Sequence, residues 1–123
     1  MQQNEHREQV ALFNWAEWMS KQHPKLKMMF AIPNGGARHI AVARKLKAEG
    51  VKAGVPDIFL ACPNEKYHGM FIELKSSKGK LSDRQSIWLA VLFGFGYEVK
   101  VAFGWQEAAT AIADYLGIEA KIC

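Results

Sequence analysis

The chain is short of residues that staple, break or anchor a fold. Only two cysteines occur, Cys62 and Cys123, which by themselves make neither a disulfide framework nor a zinc site; they fit a reducing compartment. Four prolines and ten glycines among 123 residues gather into no linker, repeat or low-complexity tract, which predicts one domain spanning residues 1–123. The longest uncharged apolar run, Ile87 to Phe95, is far below the roughly 20 residues a membrane-spanning helix needs. The opening residues are polar and charged, so no signal peptide is expected. With 50% apolar and 23% charged residues, the composition excludes a disordered or collagen-like chain. A soluble, intracellular protein is expected, and a domain of this size buries roughly two-thirds of its unfolded surface without staples.

What is present in excess is positive charge, and it is unevenly placed. The formal net charge is +4. Lys21, Lys25, Lys27, Arg38, Arg44, Lys45, Lys47 and Lys52 fall in one stretch whose only acid is Glu49. A basic stretch in an otherwise balanced chain suits a polyanion, most commonly nucleic acid. A plain solvated face explains it equally well.

Apolar spacing and turn residues set out the elements. Leu12, Trp15, Ala16 and Met19 recur on one helical face, predicting a helix from Glu5 to Lys21 that stops at His23-Pro24. Met28 to Ile32 reads as a strand, closed by the turn Pro33-Asn34-Gly35-Gly36. Arg38 to Glu49 reads as a helix ending at Gly50. Val55 to Cys62 and Gly69 to Lys75 read as strands joined too closely for a parallel crossover, hence an antiparallel hairpin. Ser82-Asp83-Arg84-Gln85 has the form of a capping box opening a helix to about Phe93. A strand Tyr97–Phe103, reached through that helix and so parallel, precedes a last helix, Gln106–Tyr115, closed by Gly117. The fold class is α/β, a mixed sheet flanked by helices.

Three residues of this layout carry chemistry. Glu73 and Lys75 lie two apart on one strand and leave the same face. Asp57 opens the neighbouring strand, so all three can converge. Two carboxylates offer hard oxygen ligands to Mg²⁺ or Mn²⁺, and an adjacent lysine can position water or hold a phosphate oxygen. A surface ion pair is the plain alternative, contributing about 0–1 kcal/mol.

Gly54-Val55-Pro56-Asp57, Ile72-Glu73-Leu74-Lys75, Gly79-Lys80-Leu81-Ser82 with Gln85, and the Pro-Asn-Gly-Gly turn together resemble the VRR-NUC family of the PD-(D/E)xK nuclease superfamily, in its small stand-alone form found in phages and bacteria. The similarity runs from about Glu5 to Phe103. It implies a restriction-endonuclease-like core and a Mg²⁺- or Mn²⁺-dependent endonuclease that hydrolyses phosphodiester bonds in DNA, selective for branched, flap or junction structures. It further implies metal ligation by Asp57, Glu73, the Leu74 carbonyl and an acid of the first helix. Periodicity does not choose between Glu5 and Glu8. The family pattern of an acid followed by glutamine and apolar residues matches Glu8-Gln9-Val10 and selects Glu8, with Glu5 the alternative. Lys75 would activate water. Gln85 would support it or the substrate backbone, or only cap its helix. The resemblance also implies the cytoplasm of a bacterium or of a phage-infected host, and it admits a homodimer.

Asn34, Gly35, Arg38, Arg44, Lys45, Lys78 and Lys80 are the candidate nucleic-acid contacts, since phosphate contacts position without reading sequence. His39 and His68 are read as non-catalytic, His6 as close to the site but on a fraying first turn, Cys62 as buried packing, and the four tryptophans as core rather than base-stacking platforms. A Holliday junction resolvase proper, a catalytically silent nucleic-acid-binding module, and a protein-interaction module for an acidic partner are the competing readings.

Overall fold

The alternation of Met70, Ile72 and Leu74 with Phe71, Glu73 and Lys75 becomes the strand on which everything else is built. In the computed structural model, which describes residues 3–33 and 39–122, it is β3 (Met70–Lys75). It lies between β2 (Ile58–Leu60) and β4 (Glu98–Phe103), with β1 (Met29–Ala31) outside β2. The four-stranded sheet runs β1-β2-β3-β4. The first two pairings are antiparallel and β3–β4 is parallel. The expected hairpin and the expected parallel return are both present, giving the mixed α/β sheet flanked by helices.

Burial divides the sheet by face. Met70, Ile72 and Leu74 join Ile58, Leu60 and Ala102 in one core. Against them pack Leu12, Trp15, Ala16 and Met19 of α1 (Gln3–Met19) and Ala108, Ala109, Ile112 and Tyr115 of α4 (Trp105–Leu116). Trp15 satisfies its indole N–H on the Ala120 carbonyl at 2.7 Å, as a buried tryptophan requires. On the other face Phe59 stacks on Phe71, ring centroids 4.3 Å apart, and Tyr97 meets both edge-on. Glu73 and Lys75 lie on this second face, beside α3 (Asp83–Gly94).

The boundaries differ from the sequence reading where local chemistry intervenes. The strand expected over Val55–Cys62 shrinks to Ile58–Leu60: Pro56 has no N–H for a ladder, and the Cys62 N–H turns back to the Leu60 carbonyl at 2.9 Å. The first helix ends at Met19, whose carbonyl accepts from the N–H groups of Gln22 and His23. A 3₁₀ helix, Pro24–Met28, follows and buries Leu26, a feature periodicity did not reveal. The second helix, α2, spans Ile40–Ala48, with His39 capping it by accepting from the Ala41 N–H at 3.2 Å. The turn residues Asn34, Gly35 and Gly36, and Arg38, lie outside the described residues. The capping box forms as expected: Gln85 N–H donates to Ser82 Oγ at 3.1 Å, and Ser82 N–H to Gln85 Oε1 at 2.8 Å.

One glycine decides how the Asp57 segment meets α3. Gly54 has φ +91°, and a Cβ there would fall 2.8 Å from Arg84 Cβ and 3.1 Å from the Trp88 ring. The segment therefore lies directly on α3, and Asp57 follows three residues later. Gly54→Ala is expected to lower stability by roughly 1–3 kcal/mol, from left-handed strain plus overpacking. Gly94→Ala, which has open space and ordinary backbone, should be neutral or stabilising by up to about 1 kcal/mol. Urea denaturation of the two variants checks the contrast.

Candidate active site

Strand register brings the chemistry together. Ile58 stands opposite Ile72 in the β2–β3 pair, so Asp57, one residue earlier, stands opposite Glu73. Directly opposed antiparallel residues carry their Cβ atoms about 4.5–5.5 Å apart on one face. Asp57 is 4% exposed and Glu73 2%. Asp57 Oδ2 accepts the Leu74 N–H at 2.9 Å, and its carbonyl accepts from Ile32 at 2.7 Å. Asp57 is thus tied to both neighbouring strands at the point where β2 begins.

Glu73, Lys75 and Gln85 close a ring of polar contacts beside it. Gln85 donates from Nε2 to Glu73 Oε2 at 3.1 Å and accepts from Lys75 Nζ at 3.0 Å. Lys75 Nζ lies 3.5 Å from Glu73 Oε2. With side-chain exposures of 9% and 2%, this is no surface ion pair. Gln85 does double duty, since the Oε1 that holds Lys75 also accepts the Ser82 N–H. The capping box therefore sets the amide's position, and the amide sets the lysine's. Gly79 completes the enclosure: a Cβ there would fall 3.1 Å from Lys75 Cδ, so its absence lets the loop after β3 close over the lysine. That loop carries Lys78 and Lys80, both exposed.

Charge balance at this spot is unfavourable. Two carboxylates share a buried site with one ammonium. Burial, and then the Asp57 carboxylate beside it, push the Glu73 carboxyl from 4.5 up to about 8, against the pull of Lys75. Among the described residues, no hydrogen-bond partner reaches the buried Glu73 Oε1. A buried carboxylate oxygen without a partner is costly, and a donor or a cation placed there would relieve it. The donor set fits a hard divalent ion, because Mg²⁺ takes one or two carboxylates and keeps waters and phosphate oxygens.

The acid of α1 is placed differently from the sequence choice. Glu8 Oε1 accepts the Trp105 N–H at 2.8 Å and so caps α4, which begins after Gly104 and has no side-chain cap from Gly104 itself. Glu5 is the α1 acid that turns to the end of β3: it is 8% exposed, and its Oε2 accepts from the Ser76 N–H at 3.5 Å. Glu5 and Glu8 lie on one helical stripe, so only the elements opposite, β3 for one and α4 for the other, separate them. Among the described residues no three His, Cys, Asp or Glu side chains form a metal-binding group. The ligand set of three acids expected from the sequence is not gathered; the closely paired acids are Asp57 and Glu73.

The remaining candidates are scattered. Arg44 and Lys45 are exposed on α2. Asn34, Gly35 and Arg38 fall outside the described residues. Cys62 is buried packing, 7% exposed, and His68 packs against Tyr97. Trp15 is core, but Trp18 is 52% exposed, so not every tryptophan belongs to the interior. Sequence reasoning missed Glu5's place, the seat provided by Gly54, and the reach of Gln85 to Glu73. No described helix is long and apolar enough to cross a membrane.

The family model of the VRR-NUC domain matches residues 2–105. The chain belongs to the VRR-NUC family. It is therefore a member of a family of nuclease domains, as its Pro-Asp and Glu-x-Lys elements suggested. A solved structure named "VRR_NUC domain protein" superposes with a TM-score of 0.76 at 25% identity, over 96% of this chain and 92% of that one. No curated protein matches the chain.

The raised Glu73 carboxyl carries a pH signature. Between 4.5 and about 8 the folded chain holds a proton that the unfolded chain has already released. Stability of the metal-free protein should therefore fall as pH rises through this window. Glu73→Gln removes the titration and should flatten that fall, leaving the variant more stable than wild type near pH 8. Thermal melts in chelator across the window check it.

Proposed function

We propose that this chain is a Mg²⁺- or Mn²⁺-dependent endonuclease that hydrolyses phosphodiester bonds in DNA, with preference for branched, flap or junction structures. The observation that carries the reading is the buried Asp57–Glu73 pair with an orphaned Glu73 oxygen, next to a lysine held in place by Gln85. Membership of a nuclease-domain family supports it.

Asp57, Glu73 and the Leu74 carbonyl would hold the ion, and Glu5, rather than Glu8, is the α1 acid assigned to this end of β3. Bound there, a divalent ion lowers the pKa of its water and neutralises charge developing on phosphoryl oxygens. The chain's own residues do the rest. Asp57 is fixed by the Leu74 N–H, so its carboxylate would hold the ion without reorganising. Lys75 Nζ, held by Gln85 Oε1, orients the attacking water and faces the phosphate's charge. Gln85 Nε2 restrains one oxygen of Glu73 and leaves the other to act as ligand. Lys78 and Lys80 on the loop over Lys75, with Arg44 and Lys45 on α2, supply phosphate contacts that position DNA.

Asp57→Ala and Lys75→Ala should each lower the cleavage rate by roughly 10²–10⁴-fold. Glu5→Gln should cost more activity than Glu8→Gln, and Glu8→Ala should lower stability by about 1 kcal/mol through loss of the α4 cap. Cleavage of flap, four-way, duplex and single-stranded substrates with Mg²⁺, alongside urea denaturation, measures both. Equal cutting by wild type and Asp57→Ala would overturn the mechanism.

A further inference from the structure

Beside the catalytic cluster lies a cleft of about 600 Å³ between α2 and α3. Its apolar lining includes Leu46, Ile87 and Trp88, and its cationic lining is Lys47, Lys52 and Arg84. Among the described residues its lining holds no acid. The volume is within the range of sites for small organic ligands. The cleft adjoins the proposed site through covalent neighbours: Arg84 precedes Gln85, and Gly54 packs on Arg84 and Trp88 just before Asp57.

α2 is unusual for a helix in this fold, because none of its residues is buried. Its apolar residues Ala43 and Leu46 face the cleft rather than a core. Ile87, on the opposite wall, is 62% exposed. An apolar floor flanked by three cations is complementary to a nucleotide, which joins a flat apolar base to an anionic phosphate. Single-strand binding sites are built from this combination of aromatic surface and positive charge. A base within a duplex is stacked on both faces and cannot enter such a cleft unless it is extruded.

We propose that the α2–α3 cleft binds one unpaired nucleotide of the DNA next to the cleaved bond, its base against Ile87 and Trp88 and its phosphate on Lys47, Lys52 and Arg84. The inference rests on the reading of the chain as a DNA-acting nuclease and supplies a physical origin for structure selectivity. An unpaired nucleotide at a branch or flap fills the cleft, and an intact duplex leaves it empty.

The test uses the full chain in chelator, so that it does not depend on cutting. The probes are an oligothymidylate of about eight nucleotides, within the usual single-strand site size, and a blunt duplex. Oligothymidylate should quench tryptophan emission, and Trp88→Phe should remove most of that quench. The double variant Lys47→Ala, Lys52→Ala lies on the exposed rim and leaves the core intact. It should weaken oligothymidylate binding about tenfold, through loss of two phosphate-facing charges, while leaving duplex affinity within about twofold. Equal weakening for both DNAs, or a quench unchanged in Trp88→Phe, would overturn the proposal. So would sedimentation showing a wild-type dimer that Ile87→Asp dissociates, since a second copy would then fill the cleft. A wild type that binds in this pattern yet cuts no DNA with Mn²⁺ would refute the nuclease reading and leave the cleft assignment standing.

Discussion

Two carboxyl groups that resist ionising together, buried with a single ammonium between strand and helix, are the constraint on which this structure turns. Asp57 and Glu73 meet because antiparallel register leaves no alternative once Ile58 is opposite Ile72. Their burial strengthens the repulsion, since charges interact more strongly away from water. The fold meets this with Lys75, with Gln85, and with backbone N–H donors to Asp57 and Glu5, but among the described residues nothing donates to Glu73 Oε1. A chain selected only for stability would not keep such a site, because buried ion pairs with incomplete compensation are poor stabilisers. Strongly perturbed carboxyls of this kind cluster at functional sites.

The scaffold's regularity makes the strain tolerable. One sheet face is ordinary core, where α1 and α4 cover Met70, Ile72 and Leu74. The polar residues of the same strand, Glu73 and Lys75, then have to leave on the opposite face, and α3 meets them there with Gln85. Period-two alternation on a single strand thus divides packing from chemistry. Gly54 lets its segment approach α3 more closely than a side chain would permit, and Gly79 gives the loop after β3 a tight fit against Lys75.

Much of this was readable in the sequence because it depends on local rules. Ser82 and Gln85 have capping-box spacing, Gly117 sits where a helix needs a left-handed residue, with φ +71°, and the hairpin follows from a short connection. Asp57, Glu73 and Lys75 follow from strand parity. Legibility stopped where the answer lay in another element. Glu5 and Glu8 share one stripe of α1, and what separates them is whether β3 or α4 stands opposite. The length of β2 was overread because Pro56 and the turn at Cys62 limit it through missing and diverted hydrogen bonds rather than through hydropathy. The α2–α3 cleft has no sequence signature, since it comes from two helices that do not close on each other.

The central claim is that the Asp57–Glu73 pair is a divalent cation site rather than a buried ion cluster of structural use. Titration calorimetry of Mn²⁺ into the wild-type chain and into Asp57→Asn tests this directly, with no DNA present. Saturable binding by wild type that is lost in Asp57→Asn, while the variant stays folded, is the result expected. Identical heats for both proteins, or no binding to wild type at millimolar Mn²⁺, would contradict the account.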